Sequence, residues 1–383
     1  MREELAHIAE LGFNTLRLML RWEDFQPDDA RIGTAAMRTL EMTLEAAHTR
    51  GLKAVVVLFP VAPAGVLEIP VWTTGLEQPS PEELAKLLTT AAADQGKQPQ
   101  RIVLRDYFAE KSYRQAPIRD IYRSTRQLAA QRYLIDEVVG YFAAHPALSV
   151  WQPGQDLDRM RAADTFQQAT DWLARLIERM RKRGAKRIVG LATPRSLVRR
   201  DTVRPLSLAS LCDEVAVETF PPEPLPVAQP WDASYPVFLH ALMVALADRP
   251  RAFVGLGLAS RSAQPIPSAA GHLADEEQQS VFCAAVLTEL YRTNAAGVWW
   301  AAYADIPVGL WTAPPFDRAP RMRTLGLVRA DGSEKPAAYA FQAFAQRLRA
   351  NKLAPPTQAP RLDTDPERHW YDPVASVKRL LER

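Results

Sequence analysis

One pattern repeats along the chain. An apolar run of about six residues leads into a polar loop, then an amphipathic stretch of about fifteen, then the next apolar run. The runs are NTLRLML (Asn14–Leu20), KAVVVLF (Lys53–Phe59), ALSVWQ (Ala147–Gln152), RIVGLA (Arg187–Ala192), EVAVETF (Glu214–Phe220), AFVGLGL (Ala252–Leu258) and GVWWAAY (Gly297–Tyr303). Apolar residues fill consecutive positions in them rather than alternate ones. Strands of that kind need cover on both faces, which a parallel sheet flanked by helices provides.

The stretches between carry helix signals. AAMRTLEMTLEAAHTRG stops at Gly51 and TFQQATDWLARLIERMRKRG at Gly184, while DEEQQSVFCAAVLTELYRTN opens on acids that suit a helix N-terminus. Alternating strands and helices predict an α/β fold with right-handed crossovers, and this many units predicts a TIM (β/α)8-type barrel. A doubly wound open sheet is the second choice, weakened by the lack of a Gly-rich phosphate loop after any strand. Seven strands are visible where a barrel has eight, and the chain opens on the amphipathic helix MREELAHIAELG. The first strand is therefore expected to be missing, with a gap between Asn14–Leu20 and Gly297–Tyr303. A partner chain or an upstream segment would cover that open edge. Residues 1–350 read as the barrel, and the Pro-rich residues 351–383 as a tail packed on it. Two long insertions, Val61–Arg119 and Pro221–Pro236, follow strands, where barrels build their sites.

Composition narrows the function. The 383 residues include 47 basic and 44 acidic ones, a net charge of +3, with no basic cluster beyond the helix end RMRKRGAKR. Nucleic acid is not an expected partner. No apolar run approaches the roughly 18 residues of a membrane span. The start resembles no signal peptide, which places the chain as given in the cytoplasm, or outside the cell if an export segment lies upstream. Cys212 and Cys283 read as buried free thiols, and the six histidines form no metal-type spacing, so no cofactor or metal is expected.

Five segments, in order, carry a resemblance. ELGFNTLRLMLRWEDFQP contains Arg17; HPALSVWQPGQDLD, DEVAVETFPPEP, DRPRAFVGLGLAS and GVWWAAYAD follow at matching spacing. Together with the closing GLVRADGSEKPAAYAFQAFA, they resemble the cellulase-like, family 5-type barrels of the large clan of retaining glycoside hydrolases. The resemblance covers most of the chain and implies an active site at the strand C-termini, with oligo- or polysaccharide as ligand. It also implies two catalytic Glu residues about 5 Å apart, one an acid/base and one a nucleophile. At the first position this chain has Gln155-Asp156 in place of Asn-Glu. At the nucleophile position it has Gly255, within Gly255-Leu256-Gly257, in place of Glu-x-Gly. The family's His-x-Tyr has become Glu218-Thr219-Phe220, while the Arg that pairs with the nucleophile is kept as Arg17.

Each candidate has two readings. Asp156 is a shortened acid or the N-cap of a following helix. Glu218 is a relocated catalytic carboxylate or the ion-pair partner of Arg17, because an unpaired buried carboxylate is costly. Asp305, after the last strand, is a substrate ligand or a third relocated acid. Trp22, Trp72, Trp151, Trp231, Trp299, Trp300 and Trp311 fall at strand ends or in top loops, where rings stack on sugars or fill the core. Arg17, Trp22, Trp72, Trp151, Gln155, Phe220, Trp299, Trp300 and Asp305 are the expected binding residues. The function expected is a carbohydrate-binding pseudoenzyme. The alternatives are a hydrolase using Asp156, Glu218 and Asp305, and an interaction scaffold.

Overall fold

A computed structural model describes residues 1–61, 67–73, 101–104, 119–157, 162–220, 232–261, 273–313, 316, 320–357, 362 and 364–381. Most of both long insertions, Trp231 among them, lies outside these residues. The chain divides into two compact units. Residue 1 with 15–189 and 312–319 forms the first, and 2–14 with 190–311 and 320–383 the second.

In the first unit, β1 (Thr15–Met19) and β2 (Lys53–Pro60) run parallel, with Arg17 opposite Val55. A small antiparallel pair follows, β3 (Leu67–Pro70) with β4 (Arg101–Leu104), which the sequence pattern did not announce. Then comes β5 (Leu148–Gln155), parallel to β2, so that the sheet order is β1-β2-β5. β2 is the central strand, and everything from Ala54 to Phe59 is buried. Burying each Val or Leu contributes roughly 1.5–3 kcal/mol relative to exposure. β1 ends its ladder, and four of its five residues, all but Leu16, stay partly exposed.

Helices Thr34–Thr49, Thr125–Phe142 and Phe166–Lys182 cover this sheet's unit. Phe166–Lys182 buries Ala169, Trp172, Leu173, Leu176, Ile177 and Met180, one stripe at a 3.6-residue period. Thr165 caps its start by accepting from the Gln168 N–H, and Gly184, at φ +99°, sits just beyond its end. Only glycine takes that left-handed turn without strain.

The second unit holds the four-stranded sheet β6-β7-β8-β9: β6 (Val189–Ala192), β7 (Glu214–Thr219), β8 (Phe253–Leu256) and β9 (Gly297–Trp300). β7, β8 and β9 are parallel and in simple register. A short parallel pair, β10 (Ala302–Ala304) with β11 (Gly326–Val328), follows β9. Helix Glu276–Arg292 begins at a capping box between Asp275 and Gln278. Strands and helices fall within a few residues of the sequence expectation.

Two outlying segments belong to this unit. The first helix, Arg2–Glu10, is fastened by His7, whose Nδ1 lies 2.7 Å from the Tyr303 hydroxyl and whose Nε2 lies 2.6 Å from Glu334 Oε1. The Phe13 ring packs on Phe341 of the helix Pro336–Arg349. The tail contains helices Pro366–Tyr371 and Pro373–Leu381. Its His369 is 2.9 Å from the Leu197 carbonyl, and the Arg204 guanidinium lies 5.3 Å from the Trp370 ring centre.

Candidate active site

Strand C-termini are where a barrel assembles its chemistry. In the first unit, the Arg17 guanidinium donates to Gln152 Oε1 at 3.0 Å and, at the long limit, to Gln155 Oε1 at 3.5 Å. Gln152 in turn donates to the Gly154 carbonyl at 2.8 Å, and both glutamines are buried. Gln155 and Arg17, both picked out from sequence, therefore meet directly. Arg17 and Glu218 lie in different units, and their pairing stays an expectation.

Asp156 has φ +54°. Helical backbone begins at the next residue, Leu157, so Asp156 stands at a helix start with a left-handed rather than the usual extended cap backbone. Left-handed backbone at a non-glycine residue is uncommon and re-aims the side chain at the strand end.

The first-unit tryptophans are core residues. Trp22 is 1% exposed; its indole donates to Gln26 Oε1 at 2.9 Å and its ring meets Phe59 and Trp72 edge-on. Trp72 donates to the Gln26 carbonyl at 2.9 Å. Trp151 is fully buried. In this arrangement neither Trp22 nor Trp151 offers a face to a sugar. The core alternative, open at the sequence level, describes them.

Sequence reasoning passed over Glu23. It lies in the short helix Trp22–Phe25 that follows β1, is buried at 3%, and is 3.0 Å from Arg21 Nη2. Burial pushes its carboxyl up, against the opposing pull of a backbone hydrogen bond and Arg21. The signal was an acid in the strand-end sequence RWED.

In the second unit, Glu218, Gly255 and Trp299 are register partners across β7, β8 and β9. Each is the penultimate residue of its strand. A Cβ built on Gly255 would lie 3.0 Å from Glu218 Cγ and 3.1 Å from its Oε2. The Glu218 side chain thus lies over the bare Cα of Gly255, and it is buried at 3%. Two residues on, a Cβ at Gly257 would come 3.2 Å from the Phe220 ring. Trp299 stacks on Phe253, ring centres 5.3 Å apart and planes 3° from parallel. Phe253 and Gly255 share one strand face, so the stack borders the glycine.

Trp300 points the other way. It donates to the Leu325 carbonyl at 2.8 Å and packs on Phe341, a helix residue. Its expected role on the sugar side is not the one this placement serves. Asp305 accepts from Lys335 Nζ at 2.7 Å and from the Gly326 N–H at 2.8 Å. Lys335 also donates to Ser260 Oγ at 2.9 Å and the Thr324 carbonyl at 3.2 Å. Burial pushes Asp305 up and Lys335 down, outweighing their mutual attraction in both. No helix of the described residues is long and apolar enough to cross a membrane, and among those residues no cluster has metal-binding composition.

Solved structures share this architecture. A GH5_18 variant from Streptomyces cattleya, in complex with Manb1-4GlcNAc, superposes with a TM-score of 0.68 at 21% identity, over 94% of this chain and 76% of that one. This chain has the TIM-barrel fold. A GH5_18 structure from Bifidobacterium longum subsp. longum gives a TM-score of 0.65 at 17% identity, over 93% of this chain and 75% of that one. The exo-beta-1,4-mannosidase Op5Man5 from Opitutaceae bacterium strain TAV5 gives 0.61 at 18%, over 93% and 57%. No protein-family model and no curated protein matches the sequence. The likeness is one of fold, so the barrel's chemistry rests on its own residues.

Proposed function

We propose that this barrel binds carbohydrate and has lost retaining glycoside hydrolysis. The observation that carries the reading is Gly255. The family resemblance puts a nucleophile there, and the position has no side chain and no open volume, because Glu218 lies over it. Without a nucleophile no covalent glycosyl intermediate forms at that point. The departure at Asp156 adds to the loss. Its carboxyl is one C–C bond shorter than that of Glu, about 1.5 Å, and misplacement of about 1 Å can cost about a hundredfold in rate.

The fold and its neighbours support carbohydrate as the ligand class. The Streptomyces cattleya structure holds Manb1-4GlcNAc, which makes β-mannosyl disaccharides the first probe for this barrel. A glycan array run beside a release assay on aryl β-glycosides tests both halves. Binding without turnover is the expected result. Turnover that survives repurification and vanishes in Asp156→Ala would overturn the loss of catalysis.

One observation favours a second reading, hydrolysis by relocated carboxylates. Glu218 puts a carboxylate beside the vacated position. An inverting mechanism accepts carboxyls about 6.5–9.5 Å apart, and the carboxylates open to such a role are Asp156, Glu218 and Asp305. Asp305, engaged by Lys335 and Gly326, is the weakest of the three candidates. Turnover abolished equally by Asp156→Asn and Glu218→Gln would support this reading over the first.

A further inference from the structure

We infer that the tail helices Pro366–Tyr371 and Pro373–Leu381 form a detachable strap, clipped to the loop that leaves β6 by His369 in its neutral form and released when that ring is protonated.

Few groups hold the strap. Of the residues in the two helices, His369, Trp370, Pro373, Ser376 and Val377 are buried. The helices have 6 and 9 residues, too few to stand alone in water. Their helical order therefore comes from docking, and so small a contact opens at less cost than the sheet does. The surface they dock on is the segment after β6. His369 Nε2 lies 2.9 Å from the Leu197 carbonyl, Arg200 donates to the Tyr371 carbonyl, and Arg204 lies over the Trp370 ring. Within that segment the Thr202 hydroxyl donates to the Ser196 carbonyl at 3.0 Å. The strap thus braces a folded loop at the C-terminal end of β6.

His369 is the group in this contact whose charge changes near neutral pH. Its hydrogen bonds fix its protonation. A backbone carbonyl only accepts, so Nε2 carries the proton that points to Leu197. Nδ1, 3.2 Å from Ser376 Oγ, is left to accept from the serine hydroxyl. The neutral ring satisfies both nitrogens in a fully buried position. A second proton would reverse the Ser376 bond and place a charge where water does not reach.

The surroundings do not favour a cation either. The loop carries Arg195, Arg199, Arg200 and Arg204 against Asp201, which Arg199 holds at 2.6 Å. The tail helices carry Arg368, Lys378 and Arg379 against Glu367, all four exposed. Asp365 and Asp372 are turned to the backbone, accepting from the Glu367 N–H at 2.9 Å and the Ala375 N–H at 3.1 Å. Burial pushes His369 down, and the hydrogen bond to Leu197 opposes this only in part. The released tail takes up a proton as pH falls through 6.5, and the docked tail resists it. Docking is therefore strongest above that value and weakens below it.

Hydrogen exchange of the full chain, at about pH 7.5 and about pH 5 and corrected for the intrinsic rate at each, reads the release. A His240→Leu background keeps the other buried histidine, which also titrates below 6.5, out of the measurement. Tail amides should lose protection about tenfold or more on acidification, while β7 and β8 amides keep theirs. His369→Gln keeps a donor for Leu197 and takes no proton, so its tail should be equally protected at both pH values. A tail that stays protected at the lower pH would overturn the strap. So would one that opens equally in His369→Gln, or only together with β7 and β8. A second probe leaves His369 in place. Tyr371 is 82% exposed, and Cys212 and Cys283 are buried, so Tyr371→Cys accepts a fluorophore outside the contact. Its anisotropy should fall on acidification and recover on return. Constant anisotropy would overturn the release even where His369→Gln fails to fold.

Discussion

Lys335 and Asp305 meet at 2.7 Å inside the second unit, the ammonium about 1% exposed and the carboxylate 11%. The ammonium has three donors and finds three acceptors, in Asp305, Ser260 and Thr324. The pair ties the loop after β10 to the segment before β11 and to the start of the helix Pro336–Arg349. Removing one partner of such a pair leaves the other buried without compensation, which costs about 3–5 kcal/mol. Lys335→Met should therefore unfold at markedly lower urea, whereas Lys335→Met with Asp305→Leu should recover part of the loss. Equal stability of the single and double variants would refute the coupling.

Asp136 holds Arg179 and Arg183 of the helix Phe166–Lys182 and its end, with Arg183 Nε at 2.8 Å. Partial burial pushes its carboxyl up, but the hydrogen bonds from Arg183 and Arg179 outweigh this and bring it down to about 2. A depressed acid stabilises the fold above its unfolded value near 3.8 and loses that contribution as pH falls through about 2. The contribution is about 2 kcal/mol at neutral pH. Asp136→Asn should lower the urea midpoint at pH 7 and have little effect near pH 2, which denaturation at the two pH values will show.

His240 acts in the opposite chemical sense. It is fully buried in the helix Ser234–Ala247, and neither ring nitrogen has a hydrogen-bond partner among the described residues. Burial lowers it to about 4. The unfolded chain takes up a proton from pH 6.5 downward and the folded chain does not, so stability falls between pH 6.5 and 4. The loss is about 3 kcal/mol. His240→Leu should flatten this part of the stability profile, and an unchanged profile would show that His240 is not its source.

The fold was legible because a buried parallel sheet leaves its mark in every strand. β2, with seven consecutive buried residues, could hardly be read otherwise. β3 and β4 were not legible, since Leu67–Pro70 and Arg101–Leu104 are short and far apart in sequence. In the site, the sequence identified Glu218 and Gly255 separately, each as a departure from a pattern. That one covers the other depends on strand register, which no local signal carries. Trp22 and Trp151 were ambiguous because strand-end position does not say which way a ring turns, and only packing against Phe59 and Trp72 decides it for Trp22. Glu23 escaped notice because an acid beside a strand looks solvated until its burial is known.

The fastening of the helix Arg2–Glu10 bears on how the protein is made. His7 contacts Tyr303 and Glu334, residues 296 and 327 positions away. A ribosome adding roughly 5–20 residues per second needs about 15–65 s to deliver those partners. Through that interval the first helix has left the exit tunnel without its docking surface, a segment with Leu5 and Leu11 to bury and nothing of its own unit to bury them against. Docking of the helix Arg2–Glu10 therefore waits until Tyr303 and Glu334 have been made, and until then the helix is available to chaperones.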